Sequence, residues 1–170
     1  MIDQIAKRKK PIILSSGASS YDEIKNAKKI INKYHNNLII LYCVSGYPTP
    51  LEEANINTID NFKKKFNKNL IGLSDHTVNN LACFGAVALG ASILERHFTD
   101  SMSREGPDII CSMDPIACKE LILGSLTLMQ ERGGKKGPVP EEQATIDFAF
   151  ATVVSIAEIK SGDVFTTDNI

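Results

Sequence analysis

The chain has 170 residues, 43% of them hydrophobic, which is enough for one buried core but too few for two full domains. Its 19 basic and 20 acidic residues give a formal net charge of −1. This balance excludes the strong basic field expected of proteins that bind nucleic acid or a membrane surface. We therefore expect small molecules or copies of the same chain as partners, with no nucleic acid and no membrane.

Cysteine usage and hydropathy predict the compartment. The four cysteines, Cys43, Cys83, Cys111 and Cys118, follow neither a metal-binding nor a redox-motif spacing. No apolar stretch reaches the length of about 18 residues that a membrane span needs, and the amino terminus does not resemble a signal peptide. We predict a soluble cytoplasmic protein whose thiols are buried and reduced.

Two strand-and-helix units are predicted at the start of the chain. A strand begins near Ile12, and Ser20 and Glu23 then have the spacing of a capping box before an amphipathic helix. The run Leu38–Cys43 is apolar throughout, as expected for a parallel strand that is covered on both faces.

Two further units follow. An amphipathic helix is predicted over 57–68 and a short apolar strand over 70–74. The next helix is predicted over 78–89, with Thr77 as its cap and a glycine at its end. The fourth strand begins near Ile93.

Two of the segments that follow predicted strands have an unusual composition or length. The turn 44–50 is rich in proline, and its Tyr47 is either a structural plug or a substrate contact. The polar loop 99–112 is long, and loops of this kind are more often functional than decorative.

A last helix and a linker complete the pattern. Asp114 caps a helix whose first residue is Pro115 and which runs to about residue 131. The glycine-, lysine- and proline-rich stretch that follows predicts a linker over 135–146. Beyond it, 147–155 is predicted as a strand, and a turn at 160–163 leads to a second short strand.

Two histidines stand at the carboxyl ends of consecutive predicted strands. His76 follows the third strand and His97 follows the fourth, and a carboxylate precedes each. Neighbouring parallel strands lie about 5 Å apart, so both imidazoles could reach one divalent metal acting as a Lewis acid on a carbonyl. Alternatively, each histidine is only a hydrogen-bonded polar residue at a strand end.

Four strand-then-helix units predict an α/β fold with a parallel sheet. Four units are half of an eight-stranded barrel, and an open four-stranded sheet is the alternative. The polar strand ends all fall on one side, where the sites of barrel enzymes lie, which favours the barrel.

Five motifs, in this order, resemble the bacterial sialic acid synthases. They are Pro-Ile-Ile-Leu-Ser-Ser-Gly at 11–17, Cys-Val-Ser-Gly-Tyr-Pro-Thr-Pro at 43–50, Ile-Gly-Leu-Ser-Asp-His-Thr at 71–77, Leu-Glu-Arg-His-Phe at 94–98 and Gly-Pro-Asp at 106–108. The resemblance covers nearly the whole chain.

This resemblance implies the carboxyl half of a (β/α)8 TIM barrel over 1–134, a linker over 135–146 and the truncated start of a small antifreeze-like domain over 147–170. The family's enzymes form homodimers and condense phosphoenolpyruvate with N-acetylmannosamine to give N-acetylneuraminate and phosphate. The family's catalytic glutamate and its phosphoenolpyruvate-binding lysines would lie in the absent amino half, so no catalytic residue is assigned here.

Site residues also follow from the resemblance. His76 and His97 match the family's ligands of Mn²⁺ or Mg²⁺. Ser15 and Ser74 match residues near the phosphate of phosphoenolpyruvate. The residues that match contacts of the acceptor sugar are Tyr47, Glu95 and Asp108.

Three alternatives stay open. Ser45 stands where the family usually has asparagine, so a legionaminate- or pseudaminate-type acceptor is an alternative to N-acetylmannosamine. The chain is either part of an active synthase, including one half of a split enzyme, or a non-catalytic remnant. A Schiff-base aldolase is disfavoured because no lysine ends a predicted strand.

Overall fold

Four parallel strands form one sheet in the order in which they occur along the chain: β1 (Ile12–Ser15), β2 (Leu38–Cys43), β3 (Leu70–Asp75) and β4 (Ile93–Arg96). The computed structural model describes all 170 residues and divides them into two units, Met1–Gly133 and Gly134–Ile170. The sheet belongs to the first unit. The predicted four-stranded parallel sheet is confirmed.

Helices precede, connect and follow these strands. In chain order they are α1 (Ile2–Ala6), α2 (Tyr21–Ile31), α3 (Thr58–Lys65), α4 (Leu81–Ala88), α5 (Pro115–Glu131) and α6 (Gln143–Ala149). Three short 3₁₀ turns lie at Leu51–Glu53, Ile109–Cys111 and Pro140–Glu142. None of these helices is both long and apolar enough to span a bilayer.

Two helix starts follow directly from their capping residues. The backbone N–H of Ser20 donates to the Glu23 carboxylate (2.8 Å), and the Ser20 hydroxyl accepts from the Glu23 N–H (3.3 Å), so the predicted capping box is confirmed. Asp114 accepts from the Ala117 N–H (2.8 Å) at the start of α5. Each cap satisfies donors that the first helical turn would leave unpaired.

The predicted start of α4 is wrong. The helix begins at Leu81 after Asn80, whose side chain makes no capping bond, and the Asn79 side chain accepts from the Leu81 N–H (2.9 Å). Thr77 turns back towards the strand instead, where its hydroxyl and its N–H donate to the Asp75 carboxylate (3.0 and 3.1 Å). A buried carboxylate needs such donors, so Thr77 is held three residues ahead of the helix cap. Gly90, at φ +97°, ends the helix region as predicted.

The predicted strand over 147–155 is also wrong. Helix α6 covers 143–149, which lies across the expected linker and strand, and no strand follows it. Phe148 is 92% exposed, and Phe150, Val153 and Val154 are exposed as well. A strand needs a hydrogen-bonded neighbour and a surface on which to bury one face, and these residues have neither.

The two faces of the sheet differ. Ile40, Tyr42, Ile71 and Leu73 point towards the helices and form the core with side chains of α2, α3, α4 and α5. The residues between them point to the opposite face, which we call the inner face. There, Ile13 and Leu70 are 53% and 56% exposed.

Close approach of β3 and β4 on the inner face depends on one glycine. Gly72 is in register with Leu41 on one side and with Ile93 on the other. A Cβ at this position would collide with the Ile93 carbonyl oxygen and with the Leu41 side chain. The glycine thus lets β4 pair closely with β3, and both strands lead to histidines.

Candidate active site

His76 and His97 face each other at the carboxyl ends of β3 and β4. Their ring centroids lie 5.3 Å apart in a T-shaped arrangement. His76 is 5% exposed and the side chain of His97 is 33% exposed. Because both residues continue the inner-face alternation of adjacent strands, the structure brings the two imidazoles together as the strand ends predicted.

The tautomer of His76 follows from its hydrogen bond. Its Nδ1 lies 2.8 Å from the Val44 carbonyl oxygen, which can only accept, so Nδ1 carries the proton. The Cys43 sulfur is 4.0 Å from the same nitrogen. The lone pair of Nε2 is therefore left for a ligand, in the arrangement by which metal-binding histidines are usually oriented.

Tyr47 covers this histidine from the turn between β2 and α3. Its ring centroid lies 4.1 Å from that of His76 and 5.8 Å from that of His97. The turn is anchored to the end of β3, because the Thr49 N–H donates to the His76 carbonyl (2.9 Å). Tyr47 remains half exposed, which favours a substrate contact over a structural plug.

Asp108 approaches the histidine pair from the loop 99–112. Its carboxylate lies 3.8 Å from Nδ1 of His97. The loop is closed at its base, where the Met113 N–H donates to the His97 carbonyl and the Thr99 N–H to the Met113 carbonyl (both 2.9 Å). This base carries Asp108 back to the strand end, so a residue eleven positions beyond His97 in the chain contacts it.

Ser74 and Glu95 lie beside the histidines on the inner face. They are register partners of β3 and β4, and the Ser74 hydroxyl donates to the Glu95 carboxylate (2.8 Å). A cavity of about 200 Å³ is lined by Ser74, His76, Glu95, Arg96 and His97. Four of the seven predicted site residues thus surround one small cavity.

Ser15 stands apart from this group. It is exposed at the end of β1, in register with Leu41 of β2. The strand β2 therefore separates Ser15 from the histidine-bearing strands. Its neighbour Ser16 is buried and donates to the Leu41 carbonyl (2.7 Å), which is a structural role.

A buried ion pair behind the histidines was not predicted. The Asp75 carboxylate lies 3.2 Å from Nε of Arg96, and the two side chains are 3% and 1% exposed. The available signal was opposite charge at two positions that each directly precede a histidine. The pairing itself became visible only through the register, in which Asp75 and Arg96 are direct partners.

The environment of Asp75 also affects a thiol. Cys83 donates to the Asp75 carboxylate (3.5 Å) from α4. Burial raises the pKa of the Cys83 thiol, and the nearby Asp75 carboxylate raises it further. All four cysteines are free, and three of them are buried.

Comparison with known proteins places the chain in a family. The sequence profile described as the NeuB family matches residues 1–137. The chain belongs to the NeuB family. The resemblance to sialic acid synthases is thereby confirmed at the level of the family.

Individual NeuB relatives agree with this assignment. An uncharacterized protein of Methanocaldococcus jannaschii is 40% identical over 100% of this chain and 51% of its own length. The N,N'-diacetyllegionaminic acid synthase of Campylobacter jejuni is 33% identical over 99% of this chain and 52% of its own. Among solved structures, the N-acetylneuraminic acid synthetase of Leptospira borgpetersenii, crystallised with citrate, superposes with a TM-score of 0.80 at 33% identity, covering 86% of this chain and 52% of that one.

Length is the clear difference from these NeuB proteins. This chain spans about half the length of the curated relatives it matches. The histidines, Tyr47, the Ser74–Glu95 pair and Asp108 all lie within the matched residues 1–137.

Proposed function

We propose that this chain supplies the metal- and acceptor-binding part of a nonulosonate synthase. The reaction joins phosphoenolpyruvate to N-acetylmannosamine or a related acyl-amino hexose and releases phosphate. One observation carries the proposal: two imidazoles face each other beside a Ser74–Glu95 pair, at the carboxyl ends of adjacent parallel strands. Sites of barrel enzymes lie at this end of their strands.

The proposed whole is a (β/α)8 barrel. The sequential strand order supports it, because doubly wound sheets reverse their order at a switch point and barrels do not. The helices that contribute to the core pack on one face of the sheet. In a (β/α)8 barrel the helices likewise form a layer on the outer face of the strands. We extend the proposal to an antifreeze-like identity for 147–170 and to a homodimeric enzyme, both on the family resemblance alone.

The proposed metal is Mn²⁺ or Mg²⁺, held by Nε2 of His76 and by His97. The donor set fits, because the hydrogen bond of His76 to Val44 already leaves Nε2 unprotonated. No third histidine, cysteine or carboxylate joins a ligand cluster, so water or substrate oxygens would complete the coordination. Mg²⁺ prefers oxygen ligands almost exclusively, so two imidazoles favour Mn²⁺. When bound, such an ion polarises the aldehyde of the open-chain sugar.

The side chains of the cavity take separate roles in this proposal. Ser74 and, more distantly, Ser15 contribute to the phosphate subsite of phosphoenolpyruvate. Glu95 and Asp108 accept hydrogen bonds from sugar hydroxyl groups, and Tyr47 lies over the acceptor. The short Ser74–Glu95 distance would bring the two substrate sites together, as bond formation between substrates requires.

The acceptor sugar is the finer part of the proposal. Relatives include sialic, pseudaminic and legionaminic acid synthases. Ser45 is exposed on the turn that carries Tyr47, so a side-chain change there would alter the acceptor end of the site. A panel of N-acetylmannosamine, the legionaminate precursor sugar and the pseudaminate precursor sugar would rank the acceptors by kcat/KM.

The decisive experiment measures phosphate release from phosphoenolpyruvate with each sugar and Mn²⁺. The assay is run on this chain alone. It is repeated with a second chain, the part of the Campylobacter jejuni synthase that this chain does not match. If turnover needs both chains and is lost in the His76→Ala variant, the result supports the proposal that this chain is one half of a nonulosonate synthase. Stable complex formation without turnover for any acceptor would instead support a non-catalytic remnant.

A further inference from the structure

We propose that the buried Asp75–Arg96 ion pair is a positioning device that sets the separation of the His76 and His97 imidazoles. The inference rests on the proposed function, in which these histidines bind one divalent cation. It assigns a role to two residues that are neither proposed metal ligands nor proposed substrate contacts.

The geometry follows from strand alternation. Asp75 and Arg96 each precede a histidine by one residue, so their side chains leave the sheet on the face opposite the imidazoles. They are direct register partners on β3 and β4. Pulling these two side chains together on the helix side therefore holds the histidine-bearing ends of the strands together on the inner side.

The Asp75 carboxylate is fully engaged. One oxygen accepts from the Thr77 N–H (3.1 Å). The other accepts from the Thr77 hydroxyl (3.0 Å), lies 3.2 Å from Nε of Arg96 and accepts from the Cys83 thiol (3.5 Å). These contacts hold the backbone on both sides of His76.

The Arg96 guanidinium binds in three further directions. It donates to the Asn80 amide oxygen (2.6 Å), to the Thr77 carbonyl (2.7 Å) and to the Cys111 carbonyl (3.4 Å). Asn80 in turn donates to the Ala117 carbonyl of α5 (2.9 Å). One side chain thus joins both strand ends to the start of α4 and to the loop that carries Asp108.

Stability alone does not account for such a pair. Burying two charges costs desolvation energy, and apolar residues of similar volume often replace a buried ion pair without loss of stability. An apolar pair, however, has no directional bonds with which to fix the spacing of two strand ends. Nε of Arg96 makes no hydrogen bond, so its contact with Asp75 is an ion pair. The terminal guanidinium nitrogens of Arg96 make the directional bonds, to groups beside the two strand ends, which points to positioning as the role.

The test compares the native chain with the double variant Asp75→Leu/Arg96→Met, which removes both charges and keeps the net charge. Mn²⁺ affinity is measured by calorimetry, and NOE contacts between the His76 and His97 ring protons are measured without metal. We expect Mn²⁺ binding to weaken by about 10- to 100-fold, the usual effect of removing a group that orients metal ligands. The inter-ring NOE should weaken or disappear.

The matched control is Asp60→Asn/Lys64→Met, which removes an exposed ion pair of α3 and also keeps the net charge. It should leave both readouts unchanged. If the folded test variant keeps native Mn²⁺ affinity and a native NOE, the positioning role is wrong.

The experiment distinguishes a failure of the proposed metal site from a failure of the proposed positioning role. If the native chain binds no Mn²⁺, the metal part of the proposed function fails, while the NOE comparison still decides the positioning role. If the double variant does not fold, Arg96→Lys decides, because lysine keeps the charge opposite Asp75 but cannot reach Asn80, Thr77 and Cys111 together. Native affinity and NOE in Arg96→Lys would overturn the proposal, and a fall of about tenfold in affinity would support it.

Discussion

The hydroxyl of Ser74 donates a hydrogen bond of 2.8 Å to the carboxylate of Glu95 across the junction of β3 and β4. The bond lies on the face of the sheet that carries both histidines. A serine proposed to face phosphate and a glutamate proposed to face sugar are therefore direct neighbours. Changes at either residue should be felt by both substrates, though unequally.

Replacing Ser74 by leucine in the reconstituted enzyme should raise the KM for phosphoenolpyruvate more than the KM for the sugar. The side chain would fill the proposed phosphate subsite, while Glu95 stays free to accept from the sugar. Steady-state kinetics with each substrate varied in turn make the comparison. Ser92→Leu, at the opposite end of the sheet, is the control. Equal increases in both KM values would contradict the assignment of Ser74.

Replacing Tyr47 by alanine should lower the free energy of unfolding by about 0.5 to 1.5 kcal/mol, the usual contribution of an aromatic pair beyond its buried area. The ring that lies 4.1 Å from His76 would be lost. Tyr47→Phe keeps the ring and should unfold like the native chain in urea. If both variants lose the same stability, the phenol hydroxyl and not the ring contact would be responsible.

The start of α2 should respond to acid. Donation from the backbone N–H and hydroxyl of Ser20 lowers the pKa of Glu23 below its ordinary value of 4.5. A carboxylate with a lowered pKa stabilises the fold above that ordinary value, and this contribution is lost as the pH falls through the lower, folded-state pKa. Glu23→Gln should therefore flatten the pH dependence of stability below about pH 4.5. Urea unfolding from pH 3 to 7 tests this, and an unchanged pH slope would contradict it.

The same cap predicts a stability change at neutral pH. Ser20→Ala removes the side-chain acceptor and should cost about 1 kcal/mol, as the loss of an N-cap usually does. Ser19→Ala is the matched control, because the Ser19 hydroxyl only donates to the Gly17 carbonyl outside the helix. A loss as large in Ser19→Ala would show that the capping box is not the cause.

Thiol labelling should follow burial. Burial raises the pKa of the Cys83 and Cys111 thiols, which lowers their reactive thiolate fraction, whereas Cys118 is partly exposed on α5. Iodoacetamide at pH 8 should modify Cys118 first and Cys83 only on unfolding, as read by peptide mass spectrometry. If Cys83 in the native chain is labelled as fast as Cys118, then Cys83 is not buried against the Asp75 carboxylate as described.

The isolated chain should self-associate and melt broadly. Ile13 and Leu70 are 53% and 56% exposed on the inner face, and covering a leucine fully is worth about 1.5 to 3 kcal/mol. The sheet also has two edge strands. Analytical ultracentrifugation should show oligomers that Ile13→Ser/Leu70→Ser shifts towards monomer, with Leu81→Ser on α4 as control. A sharply melting native monomer would contradict the prediction.

Much of the first unit could be predicted because its signals are local. The apolar run of β2 and the caps at Ser20 and Asp114 lie within a few residues of the elements they define. The two histidines could be predicted as neighbours for a similar reason: consecutive parallel strands end on the same side of a sheet. For these features the amino-acid sequence by itself determined both the element and its position.

Tertiary structure decided the features that depend on what lies opposite a residue. Register made Asp75 and Arg96 partners, and the need to satisfy that buried carboxylate drew Thr77 away from the helix cap. The stretch 147–155, with no partner strand, did not form the strand that its apolar residues predicted. Strand pairing and buried charge are set by neighbours distant along the chain, whereas a helix cap is set within one turn.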